Sequence, residues 1–503
     1  MDLPSLGWFR IPRANPPAIA FHWPVCVVFA TLCFSASHPG RLNADSLHSI
    51  ITGTAPEELG NWHSPMLSWL WSLPGPFFGQ PTGALLIQSL LFGLFAGHLP
   101  RLASIRAGWL VLSLELTFRA ALVGAFGYIG KDAMVLGAML LGVQVFRQGL
   151  QSTFGVRHYA VMAILIALML LIKAPNFLTF VLALSLMLPF VVHSVRVYVV
   201  VTLSAFLLGL PAVPLDRAVD RYLFGAKDVH PDKQLVIFDL AGISIHTGSN
   251  AFAVLPDWPT ARLPSIATCY LPYMWDAFAP WGPCSGYSTA YDSLDAKLKR
   301  RWAAAILSHP LAYLSHRLTY SSYLLRSRDH RSWGLGGEAI NDADSAAAAS
   351  ERRAIMMRLG ANRPIQLWAP QAATAPFRLL EAHLLRFPKV QSLAIVGSLA
   401  VLLLAWLRRR DGLDPGTILP AALALGNVGM LMAFGVADPA RYLLPTICLF
   451  YVAAIGLVAR SIALLPSPDR PDFTQQSASP AAGNRHRVPS LPTRLSRRWR
   501  AAG

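Results

Sequence analysis

Residues 181–210 read "VLALSLMLPFVVHSVRVYVVVTLSAFLLGL", two apolar runs separated by a single lysine or arginine, Arg196. A helix on the surface of a soluble protein keeps one polar face, and neither run does. With their flanks, at 177–193 and 197–211, both approach the ~20 helical residues that cross a hydrocarbon core of about 30 Å. Lipid gives unpaired backbone N–H and C=O groups no partner, so runs of this kind are helices.

The same pattern recurs outward in both directions, near 17–35, 83–99, 108–126, 132–147, 159–172, 390–406, 417–435 and 442–460. Composition agrees. The 503 residues are 54% hydrophobic and 14% charged, where a soluble domain carries roughly a quarter charged residues. The expected fold is an all-α polytopic membrane protein of about ten transmembrane helices.

Lysine and arginine set the orientation. With the N-terminus inside, inner segments hold Arg10, Arg13, Arg101, Arg106, Arg147, Arg157, Arg196, Arg408, Arg409, Arg410 and Arg460, and the short outer loops hold only Arg41, Lys131, Lys173 and Arg441. Both termini are then cytoplasmic, in a multi-pass protein of a bacterial inner membrane. Much of the formal charge of +17 lies in those inner loops and in the Pro-, Ser- and Arg-rich tail 466–503, read as disordered and suited to anionic headgroups. No folded basic face with interleaved aromatics is visible, so nucleic acid is not an expected partner. Residues 10–37 also carry the elements of a secretory signal, but the apolar run is long for one, and a retained first helix is the preferred reading.

The organisation expected is an N-terminal membrane module at 1–211 with its first outer loop at 36–82, an outer (periplasmic) subdomain at 212–389, C-terminal membrane helices at 390–465, and the tail. The outer subdomain reads as mixed α/β: helical at 293–307 and 343–359, strand-like over "QLVIFDLAGISI" at 234–245, with an amphipathic stretch at 309–325 suited to the outer leaflet. Cys269 and Cys284 fall in this segment, and whether they pair is open; Cys26, Cys33 and Cys448 lie in spans.

Polar residues gather at the outer ends. The first outer loop holds Asp45 and His48 one helical turn apart, then Glu57, Glu58 and "NWHSPMLSWLW" at 61–71, with Trp62, His63, Pro65, Trp69 and Trp71. Tryptophans here also suit an interfacial belt. Lys131 and Asp132 open the fourth span, Lys173 and Asn176 fill the next outer turn, and Asp438, Arg441 and Tyr442 the last. Each taken alone is an ordinary helix cap; their common side makes them candidates for one site. Glu115 and Arg119 lie four apart within the third span and neutralise each other, as a structural pair or as a cation lining a cavity for a lipid phosphate.

Taken in order, these residues resemble the GT-C superfamily of polytopic glycosyltransferases, in the branch of bacterial membrane proteins of unassigned function. The resemblance rests on Asp45 in the first outer loop, "WHSPMLSWLW" entering the membrane, "GKDAMVLGAML" with Asp132, "FDLAGIS" and "RYLLP". Ser46 follows Asp45 where the superfamily often pairs acidic residues, and His63-Ser64-Pro65 stands where relatives have His-Pro-Pro. The resemblance implies a GT-C-like fold and transfer of a sugar from a polyprenyl-phosphate donor to a glycan or lipid acceptor. It implies catalytic roles for Asp45, as general base, and Asp132. Substrate contacts would come from His48, Trp62, His63, Lys131, Lys173, Arg441 and Tyr442. The sequence shows no metal-ligand spacing, so a divalent cation is optional. Rival readings are a lipid or sugar-lipid transporter and a noncatalytic envelope scaffold.

Overall fold

The computed structural model describes residues 19–38, 44–54, 59–100, 108–152, 154–190, 194–252, 258, 263–279, 282–326, 371–385, 389–408, 415–436 and 442–463. These lie within one compact unit, Met1–Ala463. The chain enters through a short strand β1 (Ile19–Phe21) and helix α1 (Trp23–Ser37). The segment read from the sequence as the first outer loop holds α2 (Ala44–Thr54), α3 (Pro65–Ser72) and one turn, α4 (Gly75–Phe78). Helix α5 (Gln80–Ala96) returns to strand β2 (His98–Pro100), which pairs antiparallel with β1. Then follow α6 (Gly108–Phe126), α7 (Lys131–Ser152), α8 (Val156–Ile172), α9 (Asn176–Met187), α10 (Val195–Gly209) and α11 (Ala212–Leu223).

Six helical segments are long and apolar enough to cross a membrane: Gly108–Phe126, Lys131–Ser152, Val195–Leu223, Val390–Leu407, Pro415–Phe434 and Leu444–Ile462. Shorter apolar helices occupy Trp23–Ser37, Pro81–Ala96, Val156–Ile172 and Asn176–Phe190. Each apolar stretch read from the sequence overlaps one of these helices, with short strands at 19–21 and 98–100 at the edges of two of them. The largest core cluster joins α1, α3, α5, α6, α7 and the C-terminal helices around Trp71, Phe92, Phe95, Phe126 and Leu449. Helix α10 stands apart from it, with no buried residue.

The outer segment differs from expectation. "QLVIFDLAGISI" is not a strand but the middle of helix α12 (Lys233–Thr247), and among the described residues of 212–389 the regular elements are helical. Val236 through Ser244 are all buried, so the run shows no one-faced period; a fully buried helix and a buried strand read alike in sequence. Gly248, at φ 68°, ends it in the left-handed conformation common after helices. Around α12 pack α13 (Ile266–Cys269), α14 (Gly286–Ser308) and α15 (Pro310–Arg326), with Phe238, Trp275 and Tyr291 central to a second core. Cys269 and Cys284 form a disulfide. The helix expected at 293–307 lies within α14; the one at 343–359 and the tail 466–503 fall outside the described residues.

Helix α15 is inverted relative to a soluble helix. His316, Arg317 and Ser321 are buried, while Leu311, Leu314, Leu318 and Leu325 are exposed. Asp239 of α12 accounts for the inward polar face. It pairs with Arg317, lies 3.2 Å from His316 Nε2, and accepts from Trp302 Nε1 at 2.8 Å. The Tyr270 hydroxyl meets His316 Nδ1 at 2.8 Å. Burial pulls the His316 pKa below that of an ordinary imidazole, Asp239 working against it, so the ring is neutral. The same burial raises Tyr270, which keeps its proton for that hydrogen bond.

The remaining elements are α16 (Gln371–Leu385), α17 (Val390–Leu407), α18 (Pro415–Phe434) and α19 (Leu444–Ala463). Helix α16 packs on α6, where Gly124 faces the carboxylate end of the Glu381 side chain, which a Cβ there would displace.

Candidate functional site

Helix α3 begins as its sequence dictates. Ser64 caps it, its Oγ accepting from Leu67 N at 3.2 Å, and Pro65 takes the first turn, where a missing N–H costs nothing. The Ser64 hydroxyl also donates to Leu171 O at 2.7 Å, tying the loop to the end of α8. The serine that separates His63 from Pro65 thus has a structural task. Pro74 ends this short piece and heads α4.

Helix α2 crosses α3 closely: a Cβ at Gly53 would lie 2.4 Å from Ser68 O. The Ser46 hydroxyl donates to Ile129 O, and Ser49 donates to Asp45 O at 2.9 Å. The 127–130 turn is held from α5 by Gln88, which donates to Phe126 O and, at 2.7 Å, to Tyr128 O, while Gly130 N donates back to Gln88 Oε1 at 3.4 Å. Gln88 is fully buried.

These ties enclose a hollow lined by Asp45, Ser46, Ser49, His63, Trp71, Tyr128, Gly130, Lys131 and Asp132, with about 250 Å³ of empty space including its open mouth. Its inner part admits about one water-sized group. Both expected carboxylates, from chain positions far apart, line it. Asp132 stands in the first turn of α7, where the helix dipole favours negative charge. Lys173 Nζ lies 3.7 Å from Asp132 Oδ1 and 4.5 Å from the centre of the Tyr442 ring, within cation–π range. Among the described residues no group of three His, Cys, Asp or Glu is placed to hold a metal ion.

Other expected residues go elsewhere. His48 is exposed, its ring 5.3 Å from that of His63. Asn176 Nδ2 donates to Met169 O at 3.1 Å and so closes the α8–α9 turn. Arg441, Asp438, Glu57 and Glu58 fall outside the described residues. The three tryptophans do not form one belt. Trp62 packs 5.7 Å from Trp275 of the outer segment with Lys233 over its ring, Trp69 is 49% exposed, and Trp71 is 1% exposed in the core. Asn61 reinforces the Trp62 contact, donating to Asp228 Oδ1 at 3.0 Å and accepting from Val229 N at 2.9 Å.

The Glu115–Arg119 pair is resolved as structural. Fully buried Arg119 reaches Glu115 and donates to Ala96 O at 3.2 Å and His98 O at 2.7 Å, the carbonyls at the end of α5. Four of its five N–H donors are used on these oxygens and the guanidinium is fully buried, so it presents no open face to a lipid phosphate.

Sequence reasoning missed Gln88, Tyr128, Ser46 and the burial of Trp71. Gln88 alone carried a signal, as a lone amide inside an apolar span.

No protein family, curated protein or solved structure matches the chain.

Proposed function

We propose that the protein is a membrane glycosyltransferase of GT-C type that moves a sugar from a polyprenyl-phosphate donor to a glycan or lipid acceptor at the outer face of the inner membrane. The observation that carries this reading is the meeting of Asp45 and Asp132 in one hollow, beside Lys131 and His63. Asp45 takes the proton of an acceptor hydroxyl. The hydroxyl oxygen bonds to the anomeric carbon from the face opposite the phosphate. The bond from that carbon to the phosphate oxygen breaks, polyprenyl phosphate leaves with the electron pair, and the configuration inverts. Asp132 orients the acceptor, and Lys131 and Lys173 supply positive charge for the leaving phosphate. Tyr442, whose ring lies against Lys173, completes this cationic side of the site, and Arg441 keeps the substrate-binding role that the sequence resemblance gives it.

This reading takes the six long and four shorter apolar helices as ten spans, for which the arginine distribution favours both termini inside, and a disulfide in the 212–389 segment suits an oxidising outer compartment. Transport loses support, since the ionisable pair inside the third span is committed to capping α5.

Cell-envelope glycans from cells lacking the protein should lose one sugar substituent. The wild-type gene should restore it, and Asp45→Asn should not, turnover falling about 10²–10⁴-fold while donor binding persists. An unchanged glycan profile would overturn the reading in favour of a scaffold.

A further inference from the structure

One wall of the hollow has no task in that mechanism. Trp71 lines it and is 1% exposed, yet its indole N–H has no acceptor among the described residues. Buried donors without acceptors are costly and uncommon in native proteins. Phenylalanine or leucine would fill core volume here without that cost, so the N–H calls for an acceptor that the described residues do not supply.

The other walls restrict what that acceptor is. Asp45 and Asp132 offer carboxylate oxygens and repel an anion; a cation finds no acceptor in the indole N–H, and among the described residues no group of three His, Cys, Asp or Glu is placed to hold a metal ion. The Ser46 and Ser49 protons are committed to Ile129 O and Asp45 O. A neutral group that both donates and accepts is required, and the inner hollow admits one of about the size of water. Water and a sugar hydroxyl both meet each condition, and a bound sugar's hydroxyl would take the place of water there.

We propose that Trp71 is a specificity-determining residue whose indole N–H donates to the oxygen of a sugar hydroxyl seated in this hollow, while a carboxylate accepts that hydroxyl's proton in a hydrogen bond. This rests on the sugar-transfer reading above and places the donor phosphate outside the hollow.

The test uses the full chain in lipid nanodiscs, with ¹⁵N-labelled tryptophan indoles and the Trp71 signal assigned by its loss in Trp71→Phe. The probes are undecaprenyl phosphate, a panel of undecaprenyl-phosphate-linked pentoses and hexoses, and the matching free methyl glycosides. A bound sugar should move the Trp71 N–H signal downfield, as a new hydrogen bond does. Movement with the lipid-linked sugars alone identifies the donor's hydroxyl; movement with the methyl glycosides identifies the acceptor's. Replacing Trp71 by benzothienylalanine, which keeps the shape and lacks the N–H, should weaken sugar binding about tenfold without lowering the melting temperature of the empty protein. A merely structural tryptophan would lose stability and binding together, and that result overturns the proposal. So does a sugar that binds without moving the signal, or movement with undecaprenyl phosphate alone; in either case sugar transfer itself still stands. If no sugar probe binds, both readings fall.

Discussion

Gln88 shows how much of this site depends on one side chain outside it. Its amide satisfies two backbone carbonyls and one N–H of the turn that carries Tyr128, Gly130 and Lys131 to the hollow. Gln88→Leu leaves those groups buried without partners, at a cost of about 1–3 kcal/mol each. The expected outcome is a lower unfolding temperature in detergent together with reduced turnover. Arg119 makes a parallel case: Arg119→Met strands the Glu115 carboxylate and should destabilise by about 3–5 kcal/mol. Pairing it with Glu115→Leu should recover part of that loss in a denaturation series, the remainder reflecting the uncapped carbonyls of α5. The sequence showed Arg119 and Glu115 four apart, and their spacing alone could not decide between a pair and a cavity, because the deciding carbonyls of Ala96 and His98 come from the junction of α5 and β2.

Among the elements, the helices of the membrane module were legible because uninterrupted apolar runs admit one backbone solution in lipid. Helix α12 was not, since β-branched Val236, Ile237 and Ile243 are buried on every side. The glycine at its end was the readable sign. Its packing on α15 makes stability depend on pH. His316 is held neutral, its pKa below the ordinary ~6.5. The unfolded chain binds a proton near that pH, and the folded chain binds it only at lower pH. Stability from this site is therefore complete above about pH 6.5 and declines as pH falls below it. Melting temperatures between pH 7.5 and 5.5 should show the decline, and His316→Gln should flatten it; an unchanged slope in the variant would show the source to lie elsewhere. The α2–α3 crossing is tested by Gly53→Ala, which forces a Cβ against the Ser68 carbonyl. A loss of about 1–3 kcal/mol is expected, with weaker turnover because α2 carries Asp45.

At the scale of the whole molecule, the convergence of the candidate site was legible only as a shared side of the membrane. Asp45, His63, Lys131 and Asp132 meet because Ser46 ties α2 to the α6–α7 turn, Gly53 lets α2 seat on α3, Ser64 ties α3 to α8 and Gln88 ties the turn to α5, long-range contacts that no local pattern encodes. Orientation is testable directly: green fluorescent protein at the C-terminus should fluoresce, and alkaline phosphatase fused after residue 223 should be active. Replacing Cys269 and Cys284 together by serine should cost about 3 kcal/mol. Helix α10 points to a different kind of experiment. Because none of its residues is buried, a saturation library over 195–209 should be permissive, any greasy side chain surviving selection at almost any position while charge is purged. Apart from Thr202, Phe206 and Gly209, which meet Ser185 and Phe177 of α9, positions there are constrained by the solvent they meet and hardly at all by a neighbour.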